Sequence, residues 1–174
     1  MANTFLKALG KNVGKSLIDE QEVDEAKRIL RVAAQVAIDI ILPLKDVAVA
    51  KSVDKDATRQ EKYTNDVDEG DIILDFGKKS TEEVKRILLK ARTIVWNGPR
   101  GMTELPNFEY GTLELASFLA DHEAMTVIGG GDTAGFIHEK DMEDQYYHVS
   151  TGGGASLELL GGGELPGFEA LDDR

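Results

Sequence analysis

A chain of 174 residues can bury one substantial core, and its 41% hydrophobic and 30% charged residues match the composition of a soluble globular protein. With 32 acidic against 20 basic residues the net charge is −12, which argues against a polyanionic nucleic-acid partner. No apolar run reaches membrane-spanning length, so no membrane is expected. No cysteine is present, which excludes disulfides and thiolate metal sites and makes a reducing cytoplasm the expected compartment.

Residues Met1 to Lys7 read as neither a signal peptide nor a transit peptide. Ala2 to Leu9 is expected as a helix ending at Gly10, followed by a loop to Ile18. Glu20 to Ala37 carries the clearest helical period, with Val23, Ala26, Leu30, Ala33 and Ala37 on one face. Ile38 to Leu42 reads as a strand stopped by Pro43, and Val47 to Ala50 as a second. Lys51 to Gly70 is charged and reads as a surface excursion with one short strand near Gln60 to Tyr63. Ile72 to Leu74 is a buried strand leading into Asp75-Phe76-Gly77.

Ser80 and Glu83 have capping-box spacing for the next helix, with Val84, Ile87, Leu88 and Ala91 inward and Glu82 paired with Arg86 outside. Thr93 to Trp96 is a strand, Asn97 to Gly101 a loop at its carboxyl end, and Tyr110 to Ala120 a helix. Strands alternate with helices, which implies an α/β fold: a three-layer, doubly wound, mainly parallel sheet with helices on both faces.

The chain is organised around its glycine turns. Thr126-Val127-Ile128 is a short buried strand, Gly129-Gly130-Gly131 a turn, and Asp132-Thr133 stand where a helix N-cap would fall. Strand, glycine turn and helix N-terminus together form an anion site, because unpaired amides and the helix dipole favour phosphate. A carboxylate beside a phosphate cradle repels it unless a cation bridges them, which makes Asp132 a candidate Mg²⁺ ligand. The same grammar recurs from Tyr146 through Gly152-Gly153-Gly154 to Leu160. In a parallel sheet such loops emerge on one carboxyl edge, so both turns can face one ligand.

Gly161 to Gly163 follows a helix and reads as a C-cap and turn. Neither triple glycine precedes Lys-Ser/Thr, and Gly129, Gly131 and Gly135 overshoot the dinucleotide G-x-G-x-x-G spacing by one residue. His122, His138 and His148 have no ligand spacing. Asn97 beside Pro99 is either turn chemistry or a side-chain amide presented to a ligand, and Glu104 taken alone is a surface residue.

Trp96-Asn97-Gly98-Pro99 through Glu104, Ile128 to Thr133 and Ser150 to Leu160 resemble phosphoglycerate kinase. Met1 to Lys7, Leu42-Pro43 with Asp46-Val47, Leu74 to Gly77, and Leu165-Pro166-Gly167 with Ala170-Leu171 resemble its C-terminal domain in the same order. The family transfers a phosphoryl group between 1,3-bisphosphoglycerate and ADP with Mg²⁺, giving 3-phosphoglycerate and ATP in glycolysis. The resemblance implies that Asp132 ligates Mg²⁺ on ADP or ATP, and that Gly130, Gly131 and Thr133 line the phosphate loop. It implies that Asn97 and Pro99 border the nucleotide and that Glu104 accepts from its ribose hydroxyls. It also implies that the amides of Gly152, Gly153 and Gly154 stabilise the transferring phosphoryl group.

By the same resemblance, residues 1–174 form one partial C-terminal nucleotide-binding domain that lacks its first strands. The phosphoglycerate-binding N-terminal domain and a Gly-Gly-Ala-Lys stretch are missing from the match. The expectation is a fragment that is inactive alone, from an enzyme that is a cytoplasmic monomer when intact. A non-catalytic nucleotide-binding or interaction module is the alternative. Ile73, Lys78, Arg100, Thr103 and Pro106 depart from the family pattern.

Overall fold

The computed structural model describes residues 1–165 and 167. Pro166, Ala170 and Leu171, which close the resemblance, lie outside the described residues. In chain order the elements are α1 (Ala2–Ala8), α2 (Val23–Gln35), β1 (Asp46–Ala50), β2 (Gln60–Tyr63), β3 (Ile72–Phe76), α3 (Lys78–Leu88), β4 (Thr93–Asn97), α4 (Tyr110–Ala120), β5 (Met125–Gly129), α5 (Gly131–Glu139), β6 (His148–Ser150) and α6 (Gly153–Leu160). No helix among the described residues is long and apolar enough to cross a membrane. The chain divides into two compact units: Met1–Leu89 with Arg100–Leu115, and Lys90–Pro99 with the described residues from Ala116 on.

The first unit is built on β1, the middle strand of a β2-β1-β3 sheet in which both pairings are antiparallel. All five of its residues are buried, because successive side chains point to opposite faces and both faces are covered. Val47 and Val49 pack with Leu6, Val13, Leu42, Val67 and Ile73. Ala48 and Ala50 pack with Ala57, Leu105 and Phe108, with Leu74 and Met102 against them. The register shifts between Ala48 and Val49, where β3 carries an irregularity.

In the second unit β4, β5 and β6 form a parallel sheet in that order, with Asn97 opposite Gly129 and Gly129 opposite Ser150. Ile94, Trp96, Thr126 and Ile128 are buried, and α5 packs on β5 and β6 while α6 packs on β5.

The α/β class and the parallel sheet agree with the sequence reading, while the first three strands form a separate antiparallel sheet of their own. Ile38 to Leu42 is not a strand. The helix before it ends at Gln35, two residues short of the expected Ala37, which takes φ 55, and the Ile38 amide donates back to Ala33 O at 2.9 Å, a left-handed closure that redirects the chain. Only Leu42 of that run is buried, while Ile38 and Ile41 are exposed. Hydropathy alone cannot separate such a run from a strand.

The capping box at Ser80 is also replaced. The N-cap of α3 is Gly77, and no side chain of its own turn caps the helix. Asp46, from β1, accepts from the amides of Lys79 (3.0 Å) and Ser80 (2.7 Å), and Ser80 Oγ donates to Asp46 O at 2.7 Å. Glu82 pairs with Lys85 (3.0 Å) and Glu83 with Arg86 (4.0 Å), both at i,i+3, in place of the expected Glu82–Arg86 pair.

Candidate functional site

The second unit brings the two glycine turns together. Both leave the carboxyl ends of neighbouring parallel strands, and each runs directly into a helix: Gly129 to α5, Ser150 to α6. A methyl group at Gly153 would overlap Gly130 Cα and N, so the turns touch backbone to backbone. Gly130 takes φ +95, a left-handed conformation that glycine adopts without steric cost.

Asn97, at the end of β4, completes this packing. Its Nδ2 donates to Gly153 O at 3.2 Å, and its Oδ1 would lie 2.7 Å from a methyl at Gly130. Here the Asn97 amide holds the turns in place, a role that needs the long-range strand register and so is not visible in the sequence.

The N-cap of α5 is Gly130, ahead of the expected Asp132-Thr133 cap, which instead occupies the first helical turn. Thr133 is fully buried, and its Oγ1 accepts from the Gly98 amide at 2.8 Å. Trp96 Nε1 donates to Gly98 O at 2.8 Å, and these two bonds set the Gly98-Pro99 bend. Neither α5 nor α6 has a side-chain cap hydrogen bond. Their first amides, those of Gly131 and Asp132 and of Gly153 and Gly154, therefore have no partner within the helix and remain available to an anion, while the Gly152 amide donates to Ser150 Oγ at 3.1 Å. A methyl at Gly131 or Gly154 would meet open space, whereas Gly153 is buried against Gly130.

Asp132 is exposed in the first turn of α5, beside those amides. Among the described residues no group of three or more His, Asp or Glu could hold a metal ion. A hard cation here would take one oxygen from Asp132 and the rest from phosphate and water, a donor set that suits Mg²⁺. The nearest lysine in sequence, Lys140, lies 5.1 Å over the Phe136 ring. The histidines do other work: Ala124 N donates to His122 Nδ1 at 2.9 Å, His138 pairs with Glu143 at 2.5 Å, and His148 lies exposed on β6. Upstream of β6, burial pushes the Tyr146 hydroxyl up to about 12, and it donates to Ala116 O at 2.9 Å, anchoring the approach to the second turn.

Glu104 belongs to the first unit, where it is exposed between Thr103 and buried Leu105. The residues organising that unit's loops were not singled out in the sequence. They are Asp71 and Asp75, whose side chains are fully buried in ion pairs.

The family model that matches residues 1–163 is described as phosphoglycerate kinase. A phosphoglycerate kinase of Syntrophobacter fumaroxidans is 46% identical over 173 residues, which is 99% of this chain and 43% of the relative. One of Dictyoglomus turgidum is 43% identical over 175 residues, which is 100% of this chain and 44% of the relative. The phosphoglycerate kinase structure from Coxiella burnetii superimposes with a TM-score of 0.90 at 39% identity, covering 97% of this chain and 42% of that one. That from Pyrococcus horikoshii OT3 gives 0.80 at 34% identity, covering 98% and 42%. The chain thus spans less than half the length of the curated relatives it matches.

Proposed function

The chain belongs to the phosphoglycerate kinase family, and from that premise we propose that it carries the nucleotide-binding half of a Mg²⁺-dependent phosphoryl transfer between 1,3-bisphosphoglycerate and ADP. The observation that supports this most is the backbone contact between Gly130 and Gly153, which sets two uncapped helix N-termini side by side. Phosphoryl transfer needs little covalent chemistry from the protein and depends on positioning and charge stabilisation, which such amides supply.

On this reading the main-chain amides of Gly130, Gly131 and Thr133 hold the terminal phosphates of ADP or ATP. The Gly153 and Gly154 amides meet the charge on the transferring phosphoryl group, joined by the Gly152 amide once it turns from Ser150 Oγ. Asp132 holds Mg²⁺, which when bound would neutralise phosphate charge and fix the phosphate oxygens. Asn97 and Pro99 border the nucleotide, and Glu104 accepts from the ribose hydroxyls. The phosphoglycerate falls to an N-terminal domain outside these residues, so the chain alone binds Mg-nucleotide without turnover. The setting is cytoplasmic glycolysis, with the intact enzyme a monomer.

Titration of Mg-ADP into the purified chain and its Asp132→Ala variant tests this. Loss of the one protein ligand to the cation should weaken binding by about tenfold or more, the size of a charge-assisted contact. Equal binding by both would remove the metal role from Asp132. A second reading, a nucleotide-binding or interaction module without catalysis, draws on the chain's coverage of only 43% of its relative. Adding the N-terminal half of a family member as a separate polypeptide separates the two. Restored transfer favours the kinase half, and binding without transfer favours the module.

A further inference from the structure

Within the first unit, segment 100–111 bears Glu104 and is gripped by a buried ion pair. Asp75, at the end of β3 and 2% exposed, accepts from Arg59 Nη1 at 2.8 Å and from the Gly111 amide at 2.9 Å. A methyl at Gly101 would lie 2.6 Å from Asp75 Oδ1, and one at Gly111 would overlap the same oxygen. The carboxylate therefore touches both ends of the segment. Arg59 reaches its middle, donating to Asn107 O at 3.3 Å, while its guanidinium lies 5.1 Å from the Tyr110 ring centroid.

Between these grips Met102 N donates to Leu74 O at 2.9 Å, and Leu105 and Phe108 are buried in the core. Glu104 stands exposed between two pinned neighbours, Met102 and Leu105. A buried carboxylate is retained at a cost in desolvation, and an apolar pair would hold a loop as well. An ion pair instead fixes one geometry, because its hydrogen bonds are directional.

We propose that Asp75, with Arg59, is a positioning residue that sets the Glu104 carboxylate for the ribose of the nucleotide and so determines discrimination between ribose and 2′-deoxyribose. This rests on the nucleotide reading given above. The test uses the full chain, titrated in Mg²⁺ with ADP, 2′-deoxy-ADP and inorganic tripolyphosphate. The parent chain and Glu104→Gln establish the reading. The parent should prefer ADP by about tenfold, one charge-assisted hydrogen bond, and Glu104→Gln should lose that preference.

Asp75→Asn is expected to lose the preference as Glu104→Gln does while keeping its tripolyphosphate affinity. Arg59→Gln, at the less buried end of the pair, should do the same and serves where Asp75→Asn does not fold. The double variants with Glu104→Gln should show no further loss. If Glu104→Gln abolishes the preference and neither Asp75→Asn nor Arg59→Gln touches it, the inference fails and the nucleotide reading stands. If tripolyphosphate binding falls in parallel, the pair is merely structural and the inference is overturned. A parent chain without ribose preference would sink the reading of Glu104 and this inference with it.

Discussion

One methyl group separates glycines that look alike in the sequence. At Gly153 it would meet the Gly130 backbone, which cannot swing aside as a flexible side chain would. Gly153→Ala is therefore expected to cost about 1–3 kcal/mol through overpacking, read as a lower urea midpoint, and to weaken Mg-ADP binding by separating the turns. Gly154 sits in the same triplet with open space around its Cβ position. Gly154→Ala, inside α6, should be neutral or stabilise by up to about 1 kcal/mol, because alanine loses less backbone entropy in a helix. If both variants unfold at the parent midpoint, the turns do not touch as described. The triplets themselves were legible in the sequence, but which glycine must stay a glycine was not, since that depends on a residue more than twenty positions away.

At the scale of elements, α3 takes its N-terminal cap from another strand. Asp46→Ala removes the acceptor for two helix amides and leaves that of Ser80 buried without it, which should lower stability by about 2 kcal/mol in urea unfolding with the slope unchanged. Glu83→Ala, which the capping-box pattern would make comparable, should cost far less, because Glu83 makes only surface ion pairs.

The connection from β2 to β3 closes on Asp71 in a similar way. Burial alone would raise its carboxyl, but hydrogen bonds from Lys51 and Lys62 outweigh it and hold the group at about 2, below its ordinary 3.8. A folded value below the unfolded one stabilises the fold fully above about pH 4, and the contribution is lost as pH falls from 4 towards 2. Thermal midpoints of the parent chain should drop across that window, and those of Asp71→Asn should drop less. A parallel fall in both would assign the acid sensitivity elsewhere.

At the scale of the whole molecule, two compact units lie within a chain that spans 43% of its relative from Syntrophobacter fumaroxidans. The proposal that it holds only the nucleotide half predicts Mg-ADP binding with no phosphoryl transfer from 1,3-bisphosphoglycerate, checked by coupled assay of the purified chain. Turnover by these 174 residues alone would overturn that proposal.

The sequence by itself determined the α/β class, the strands from Val47 to Ala50 and from Thr93 to Trp96, the helix from Tyr110 to Ala120 and the two glycine turns. These follow from local causes: side-chain period, β-branched runs and the conformational freedom of glycine. The tertiary structure alone decided that β1, β2 and β3 pair antiparallel, that Asp46 caps α3, that Asn97 clamps Gly153, and that Asp71 and Asp75 are buried. Each of those depends on which distant segments the chain brings into register, and hydrogen-bond partners dozens of residues apart leave no periodic mark on the residues between them.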